Sequence, residues 1–489
     1  MNIFHFLVIF LNASQSAVEK SRLPEKALLS SAHIDAKSRA HRGRSHYPRD
    51  DDRGARKTEY TLFPLASVAK GLEAMSGTPE AKIRTIPVAR PFFGPEEEAA
   101  VAEVLRSGWI TQGPRVADFE SRFAEYVGAE HAVAVSSCTT ALHLALLGSG
   151  VGPGDEVICP SLSFIATANS IVYTGAAPVF VDIEPGTYNL DQGRIEEAIT
   201  PRTRAILAVH QVGLPAALDP ILAIAARHGI PLIEDAACAV GSEYFGRRIG
   251  APHGTLACFS FHPRKILTTG EGGMITTRDA EVARHLRRLR QHAMSVSDVA
   301  RHSAGQVVFE GYDEVGYNYR MTDLQAAVGL VQLRRLDGFL ARRRVLAARY
   351  SERLSKLEWL APPAEPDGHK HNFQSYLVRL KAGAPIGRDA LMQGLLERGI
   401  ATRRGIMAIH REPPYRDARL VHGPHWPRWE ERLPQTAAAA DETTILPLFH
   451  QMTEEEQDYV IDSIQEVSHR GTEARGETSQ ESESVNGEL

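Results

Sequence analysis

Short apolar runs alternate with stretches of helical spacing through the middle of this chain. AVAVSS (132–137) is a run that ends in small polar residues, and TTALHLALLGSG after it has the periodicity of a helix. Because strands that alternate with helices pair in parallel, this pattern predicts an α/β domain built on a mostly parallel sheet. Further strands are expected at 156–160, 178–183, 204–210, 230–237, 255–261 and 272–277.

The rest of the chain divides into a helical linker, a smaller domain and two polar ends. From Thr322 to about Leu360 the pattern is helical, and the strand-like QSYLVRL and helical RDALMQGLLERGI that follow suit a small α+β domain. Both ends are polar and lack apolar spacing, which is typical of disorder. We predict a disordered extension (1–82), a large domain (83–335), a linking helix with the small domain (336–467) and a disordered tail (468–489).

The first residues are the one stretch that resembles a targeting signal. IFHFLVIFL (3–11) is apolar and is followed by small residues, but no Lys or Arg precedes it and His5 interrupts it. We therefore favour a disordered extension, or a start site assigned too early, over a signal peptide. No apolar run approaches the roughly 18 residues that span a bilayer. Four cysteines in 489 residues are typical of a reducing compartment, so we expect a cytoplasmic protein without a membrane partner.

The composition excludes some function classes. Hydrophobic residues make up 43% of the chain and charged residues 24%, and the net charge is −5. These are the values of an ordinary globular protein, so nucleic acid is not expected to be the main partner. No two cysteines have the C-x-x-C spacing, so we expect no metal site.

Ligands of parallel sheets bind beyond the carboxyl ends of the strands, and the first strand end suits a phosphate. In SSCTTALHLAL (136–146) a strand gives way to a helix whose free N–H groups, with the hydroxyls of Thr139 and Thr140, can bind an anion. The alternative is an ordinary N-cap formed by Ser137 or Thr139.

A carboxylate marks a second strand end. In IEDAACAVGS (233–242), Asp235 follows a mostly apolar run and should stand at the end of a buried strand. A carboxylate there is costly unless it is paired. A protonated heterocyclic nitrogen is one possible partner, and a capping role for the following helix is the alternative.

A lysine follows a third strand, in SFHPRKILTTGEGG (260–273). Lys265 lies in a loop with two threonines and three glycines, and glycines let a backbone approach a bound ring closely. A lysine near a ligand can act as a nucleophile. The Walker pattern G-x-x-x-x-G-K-[ST] is absent, and a surface lysine in a glycine loop is the other alternative. We assign no role to Glu271 beyond a loop hydrogen bond.

The three segments together predict a cofactor. A phosphate site, an acidic strand end and a lysine loop, in this order, form the layout that pyridoxal 5′-phosphate (PLP) requires. The lysine attaches the cofactor covalently, the aspartate keeps the pyridine nitrogen protonated, and the helix end holds the phosphate.

The chain resembles the DegT/DnrJ/EryC1/StrS aminotransferases, which act on nucleotide-linked keto sugars. The resemblance covers roughly 86–467 and rests on those three segments together with SGWITQGP (107–114), PSLSFIATANSIVYTGAAPVFVDI (160–183) and GYNYRMTDLQAAVG (316–329). It implies fold type I, in which a large domain with a mostly parallel, seven-stranded type of sheet binds PLP beside a smaller C-terminal α+β domain. It also implies a homodimer, with glutamate as amino donor and 2-oxoglutarate as its product.

The resemblance implies a role for each matching residue. Lys265 would be the PLP-binding lysine and proton shuttle, and Asp235 the partner of the pyridinium nitrogen. Phe164 would stack on the cofactor, and Asn318 would reach the phosphate of the neighbouring subunit. The other implied contacts are phosphate contacts by Thr139, Thr140 and Ser260, and substrate contacts by Trp109, Thr111, His410 and Tyr415.

Departures from the family leave some questions open. Many members have Gln at the position of Cys238, where it meets the cofactor's phenolic oxygen, and a thiol is a weaker donor. VHQVGLPAALD (209–219) differs from the commoner VHLYG form, so the substrate preference is open. We predict transfer of an amino group to C4 or C3 of a nucleotide-linked deoxy sugar, for polysaccharide or secondary-metabolite biosynthesis. The alternatives are a regulatory or binding protein without turnover and a PLP enzyme with a different substrate.

Overall fold

A computed structural model describes residues 85–251, 253–296, 301, 304–416 and 429–485, with the backbone alone for 429–430 and 470–485. The predicted N-terminal extension and the signal-like stretch lie outside these residues. The alternating pattern is confirmed: each expected apolar run forms a strand. The first nine strands are β1 (His131–Val135), β2 (Glu156–Pro160), β3 (Ala177–Val181), β4 (Thr203–Val209), β5 (Leu232–Asp235), β6 (Glu243–Tyr244), β7 (Arg247–Arg248), β8 (Leu256–Ser260) and β9 (Gly273–Thr277).

Seven of these strands form the central sheet, in the order β1-β9-β8-β5-β4-β2-β3. The neighbours from β8 to β3 run parallel, and β9 alone lies antiparallel to both of its neighbours. Strands β2 and β3 are buried at every residue. Continuous apolar strands of this kind are typical of parallel sheets that are covered on both faces, which confirms the predicted mostly parallel sheet.

Helices cover both faces of the sheet. Successive side chains of a strand point to opposite sides, so each strand contributes residues to the apolar cluster on either face. On β1, Ala132 and Ala134 join one apolar cluster, and Val133 and Val135 join the other. The helices of this part are α1 (Pro95–Ser107), α2 (Pro114–Val127), α3 (Cys138–Gly148), α4 (Ala166–Tyr173), α5 (Leu218–His228) and α6 (Ala280–Leu289).

A long helix, α7 (Asp323–Leu354), links the two predicted domains. Thr322 caps its start by accepting a hydrogen bond from the Gln325 N–H, at 3.2 Å. Leu330 and Leu336 of α7 pack in a core of the large domain. Further along the helix, Leu346, Tyr350 and Leu354 pack in a separate apolar cluster, that of the small domain.

The small domain has a four-stranded sheet of order β10-β12-β14-β13, and β11 joins β6 and β7 in a third sheet. Ile86 pairs with Ile400 and packs in the small-domain core, although the sequence places it in the large domain. A single residue carries no periodicity that could show this. The remaining elements are β10 (Leu360–Ala361), β11 (His369–Lys370), β12 (Tyr376–Leu380), α8 (Arg388–Glu397), β13 (Arg403–Arg404), α9 (Trp429–Arg432), α10 (Pro434–Glu442), β14 (Thr443–Leu446) and α11 (Glu454–Val485).

The last helix corrects one prediction. Helix α11 continues to Val485, through most of the segment 468–489 that we expected to be disordered. This segment has no proline and contains five glutamates, which favour helix, so its polarity does not prevent a helical backbone. Within the described ranges, no helix is long and apolar enough to cross a membrane.

Candidate active site

A cavity of about 460 Å³ opens where the parallel strands end. Its inner wall follows the carboxyl ends of β1, β2, β4, β5 and β8, as expected for a parallel sheet. Strands β13 and β14 of the small domain form the opposite wall. Among the residues predicted from sequence, the lining includes Thr139, Phe164, Asp235, Cys238, Ser260 and Lys265.

The start of α3 forms one corner of the cavity. Ser137 is the N-cap, and its hydroxyl oxygen accepts a hydrogen bond from the Thr140 N–H at 3.2 Å. The Thr140 hydroxyl in turn donates to the Ser137 carbonyl at 2.8 Å, so this hydroxyl is used within the cap. Thr139 lies at the cavity surface. Ser137 therefore caps the helix and Thr139 lines the cavity, and the phosphate contact stays a prediction.

The glycines of the lysine loop bring β9 against this corner. A Cβ at Gly273 would lie 2.5 Å from the Ser137 carbonyl carbon, and one at Gly272 would lie 2.4 Å from Thr269 Oγ1. Real Cβ atoms do not approach other atoms so closely. We had predicted that these glycines let the backbone approach a bound ring. Gly273 thus packs on the start of α3 and Gly272 on the loop itself, and a close approach to a bound ring stays a prediction.

Asp235 ends β5 as predicted and is 4% exposed. Its carboxylate accepts hydrogen bonds from the Thr167 hydroxyl at 2.8 Å and from the Ala237 N–H at 3.2 Å. Because Thr167 uses its only hydroxyl proton on Asp235, Ser163 must donate to Thr167, at 2.7 Å. Burial raises the pKa of Asp235, and these two hydrogen bonds and the charge of Lys265 oppose that rise. Asp235 is not a helix cap; it is a buried carboxylate held by two hydrogen bonds.

Lys265 lies beside Cys238. Its Nζ donates a hydrogen bond to Cys238 Sγ at 3.0 Å. Burial acts to lower the pKa of Lys265, but the sulfur atoms of Cys238 and Cys138 and the carboxylate of Asp235 outweigh it and raise the pKa above its usual value. Cys238 thus contacts the lysine nitrogen, at the position where the resemblance implies Gln in many members.

Gln374 fixes the lysine loop to the small domain, and no sequence pattern marks it. Its side-chain oxygen accepts from the Ile266 N–H at 3.0 Å, and its nitrogen donates to the Arg264 carbonyl at 2.7 Å. These two bonds flank Lys265. Thr167 and Ser163 were missed as well, although both lie in the quoted segment 160–183. A glutamine in a loop or a threonine on a helix has no sequence signal that predicts such a partner.

Phe164 and Asn318 have different positions relative to the cavity. The Phe164 ring lines the cavity and is 64% exposed. Asn318 pairs with Gln291 in an isolated bridge and does not line this cavity. Its predicted contact with a neighbouring subunit stays a prediction.

The four residues predicted to contact substrate do not line the cavity. Trp109 Nε1 donates to the Gln112 carbonyl at 3.1 Å, and Thr111 is exposed in the same loop. His410 and Tyr415 are buried: His410 Nδ1 lies 2.8 Å from the Ser161 hydroxyl, and the Tyr415 hydroxyl donates to Asn169. Their substrate contacts remain predictions from the resemblance.

The inner wall suits PLP. A helix N-terminus with Thr139 is a phosphate site, the buried Asp235 matches a pyridinium nitrogen, and Lys265 Nζ is placed to bond an aldehyde. The exposed Phe164 ring offers a stacking surface. These groups line one cavity, so the residues present fit this cofactor.

Comparisons with known proteins agree with this geometry. Residues 92–465 match the sequence profile of the DegT/DnrJ/EryC1/StrS aminotransferase family. The structure is similar to the aminotransferase TlmJ from Streptoalloteichus hindustanus, at 38% identity and a TM-score of 0.70 over 78% of this chain and 98% of that one. It is also similar to DesV of S. venezuelae, at 35% identity and a TM-score of 0.68 over 83% and 97% of the two chains. Spr1654 of Streptococcus pneumoniae in its PLP form is 28% identical, with a TM-score of 0.72 over 79% and 100%.

Proposed function

The chain belongs to the DegT/DnrJ/EryC1/StrS aminotransferase family and is a PLP-dependent transaminase of fold type I, and we propose that it moves the amino group of glutamate to C4 or C3 of a nucleotide-linked deoxy sugar. One observation carries the proposal: Lys265, Asp235 and the N-terminus of α3 line a single cavity of about 460 Å³. The product would be an amino sugar for a polysaccharide or a secondary metabolite.

When bound, PLP supplies an aldehyde that takes up an amino group and a ring that accepts electrons. Lys265 Nζ would bond to the cofactor and, once an amino substrate has displaced it, would carry a proton between the substrate carbon and the carbon of the cofactor's aldehyde group. Cys238 Sγ, at 3.0 Å, holds this nitrogen in position. Asp235 would keep a proton on the ring nitrogen, because the Thr167 and Ala237 hydrogen bonds favour its ionised form.

The remaining predicted residues would position the cofactor. The N–H groups of α3, with Thr139 and Ser260, would hold the phosphate, and Phe164 would cover one face of the ring and exclude water from it. Asn318, which lies outside this cavity, would complete the phosphate site of a neighbouring subunit in a homodimer. All four cysteines are free thiols, which supports a reducing, cytoplasmic location.

Two half-reactions test the proposal. Purified protein with PLP is mixed with glutamate alone, and the visible spectrum should change to that of the aminated cofactor while 2-oxoglutarate forms. The aminated enzyme is then given a panel of nucleotide-linked keto sugars, and NMR of the product identifies the sugar and the aminated carbon. Bound cofactor without any conversion by glutamate would favour a binding protein. Conversion by glutamate without amination of any keto sugar would favour a transaminase with another acceptor.

A further inference from the structure

The outer wall of the cavity carries positive charge that the roles above leave unused. Arg264 lies next to Lys265 in the loop, and Arg403 is the first residue of β13, which lies across the cavity in the small domain. Both residues line the cavity. The acidic side chains of the lining are Asp235 at the inner end, already held by Thr167 and Ala237, and the exposed Glu271.

Neither arginine has a carboxylate partner among the described residues. No described Asp or Glu oxygen lies within 4.0 Å of the guanidinium nitrogens of Arg264 or Arg403, whereas many other described arginines form such pairs. The next residue on β13, Arg404, lies 3.7 Å from Glu412. Two guanidinium groups at one cavity are therefore free to bind an anion from solution.

The backbones that carry the two arginines are fixed. The Arg264 carbonyl accepts from Gln374 Nε2 at 2.7 Å, and the Arg264 N–H donates to His262 Nδ1 at 3.2 Å. The Arg403 carbonyl accepts from the Thr444 hydroxyl at 2.9 Å. When a ligand bridges the two side chains, only the side-chain rotamers have to become ordered, which reduces the entropic cost of binding.

The two charges act on one another across the cavity. Partial burial lowers the pKa of Arg403, and the positive charges of Arg264 and Arg404 lower it further. Burial, Arg264 and Arg403 also lower the pKa of His262 beside them. Like charges held together without an anion are unfavourable, and a bound anion would remove that cost.

We propose that Arg264 and Arg403 form a subsite for an anionic oxygen group of the substrates, either a carboxylate of the amino donor or a phosphate of the sugar nucleotide. The planar guanidinium group binds both in bidentate geometry. The identity of the two candidate anions rests on the proposed function, whereas the existence of the subsite rests on the arginines alone.

Arg403→Gln and Arg264→Gln in the PLP-loaded enzyme test the subsite. Binding of glutarate and of inorganic diphosphate is measured by titration calorimetry, and KM is measured for each half-reaction. We expect each variant to weaken one probe and to raise the matching KM by about 10-fold or more, while kcat changes less than twofold. Weaker glutarate binding with a higher KM for glutamate identifies the donor carboxylate. Weaker diphosphate binding with a higher KM for the sugar nucleotide identifies the phosphate.

Arg403→Lys and Arg379→Gln are the controls. Arg403→Lys keeps the positive charge but lacks the planar guanidinium group that binds in bidentate geometry, so it should recover part of the binding. Arg379 lies on β12, outside the cavity, and pairs with Glu442 at 2.7 Å, so Arg379→Gln should leave both probes unaffected. Unchanged binding of both probes in both cavity variants would overturn the subsite. If the wild type binds a probe but aminates no sugar, the proposed function fails and the subsite stands.

Discussion

The two walls of the cavity are built in opposite ways. On the sheet side the reactive groups are tied to neighbours: Asp235 to Thr167 at 2.8 Å, and Lys265 to Cys238 at 3.0 Å. On the outer side, the guanidinium groups of Arg264 and Arg403 have no carboxylate partner in the described part of the chain. The difference separates two tasks. Chemistry needs reactive atoms held in one geometry, whereas the proposed anion subsite needs charges that are free to bind a group of the substrate.

Among the substitutions that test this comparison, removal of Lys265 should have the largest effect on kcat. Lys265→Ala deletes the nitrogen that bonds the cofactor and moves the proton, so kcat should fall by at least about 10³-fold. The visible band of covalently bound PLP should disappear even when PLP is added in excess. Circular dichroism checks that the variant is folded. A variant that keeps the band and the rate would mean that another group bonds the cofactor.

Replacement of Asp235 should have the next largest effect. Asp235→Asn keeps the shape and the contact with Thr167 but removes the charge that holds a proton on the ring nitrogen, so kcat should fall by about 10²–10³-fold. Glu234→Gln is the matched control, because Glu234 is the adjacent buried carboxylate and pairs with His210 at 3.0 Å. That control should lower stability and leave kcat within a few-fold. Equal loss of kcat in both variants would contradict a specific role for Asp235.

Thr167 tests how the sheet-side wall keeps Asp235 ionised. Burial raises the pKa of Asp235, and the Thr167 hydrogen bond opposes this rise. Thr167→Val removes that bond, so the pKa rises further and Asp235 becomes protonated at a higher pH. Because activity needs the ionised form, the acid limb of the kcat/KM profile should move to higher pH by about one unit.

Thr174→Val is the control for this profile. Thr174 follows α4, and its hydroxyl donates to the Ile171 carbonyl at 2.7 Å, away from the cavity lining. The substitution removes a buried hydrogen bond of the same kind without touching Asp235. Its acid limb should match that of the wild type. An unmoved limb in Thr167→Val would mean that Asp235 does not set it.

The strands and the inner wall were predictable because periodicity and order along the chain determine them. Parallel strands end on one edge, so a turn, an aspartate and a lysine that each follow a strand meet there. Gln374 was not predictable, because it reaches the lysine loop over 108 residues of sequence separation to Ile266. The difference at 468–485 has another cause: polarity alone does not distinguish a helical segment from a disordered one.

Substitution of Tyr415 should have the smallest effect on activity. It distinguishes the substrate contact that the resemblance implies from the buried position that the structure shows. The resemblance places it against the substrate, but its side chain is 2% exposed, its hydroxyl donates to Asn169, and its ring packs on Phe180 with centroids 6.1 Å apart. Tyr415→Phe should therefore cost about 1 kcal/mol of unfolding free energy and leave both KM values unchanged. Urea unfolding and the two half-reactions measure this. Phe164→Leu is the opposite case. Replacement of this exposed ring at the cavity should weaken PLP binding more than it lowers the free energy of unfolding. A raised KM with unchanged stability in Tyr415→Phe would instead place Tyr415 at the substrate.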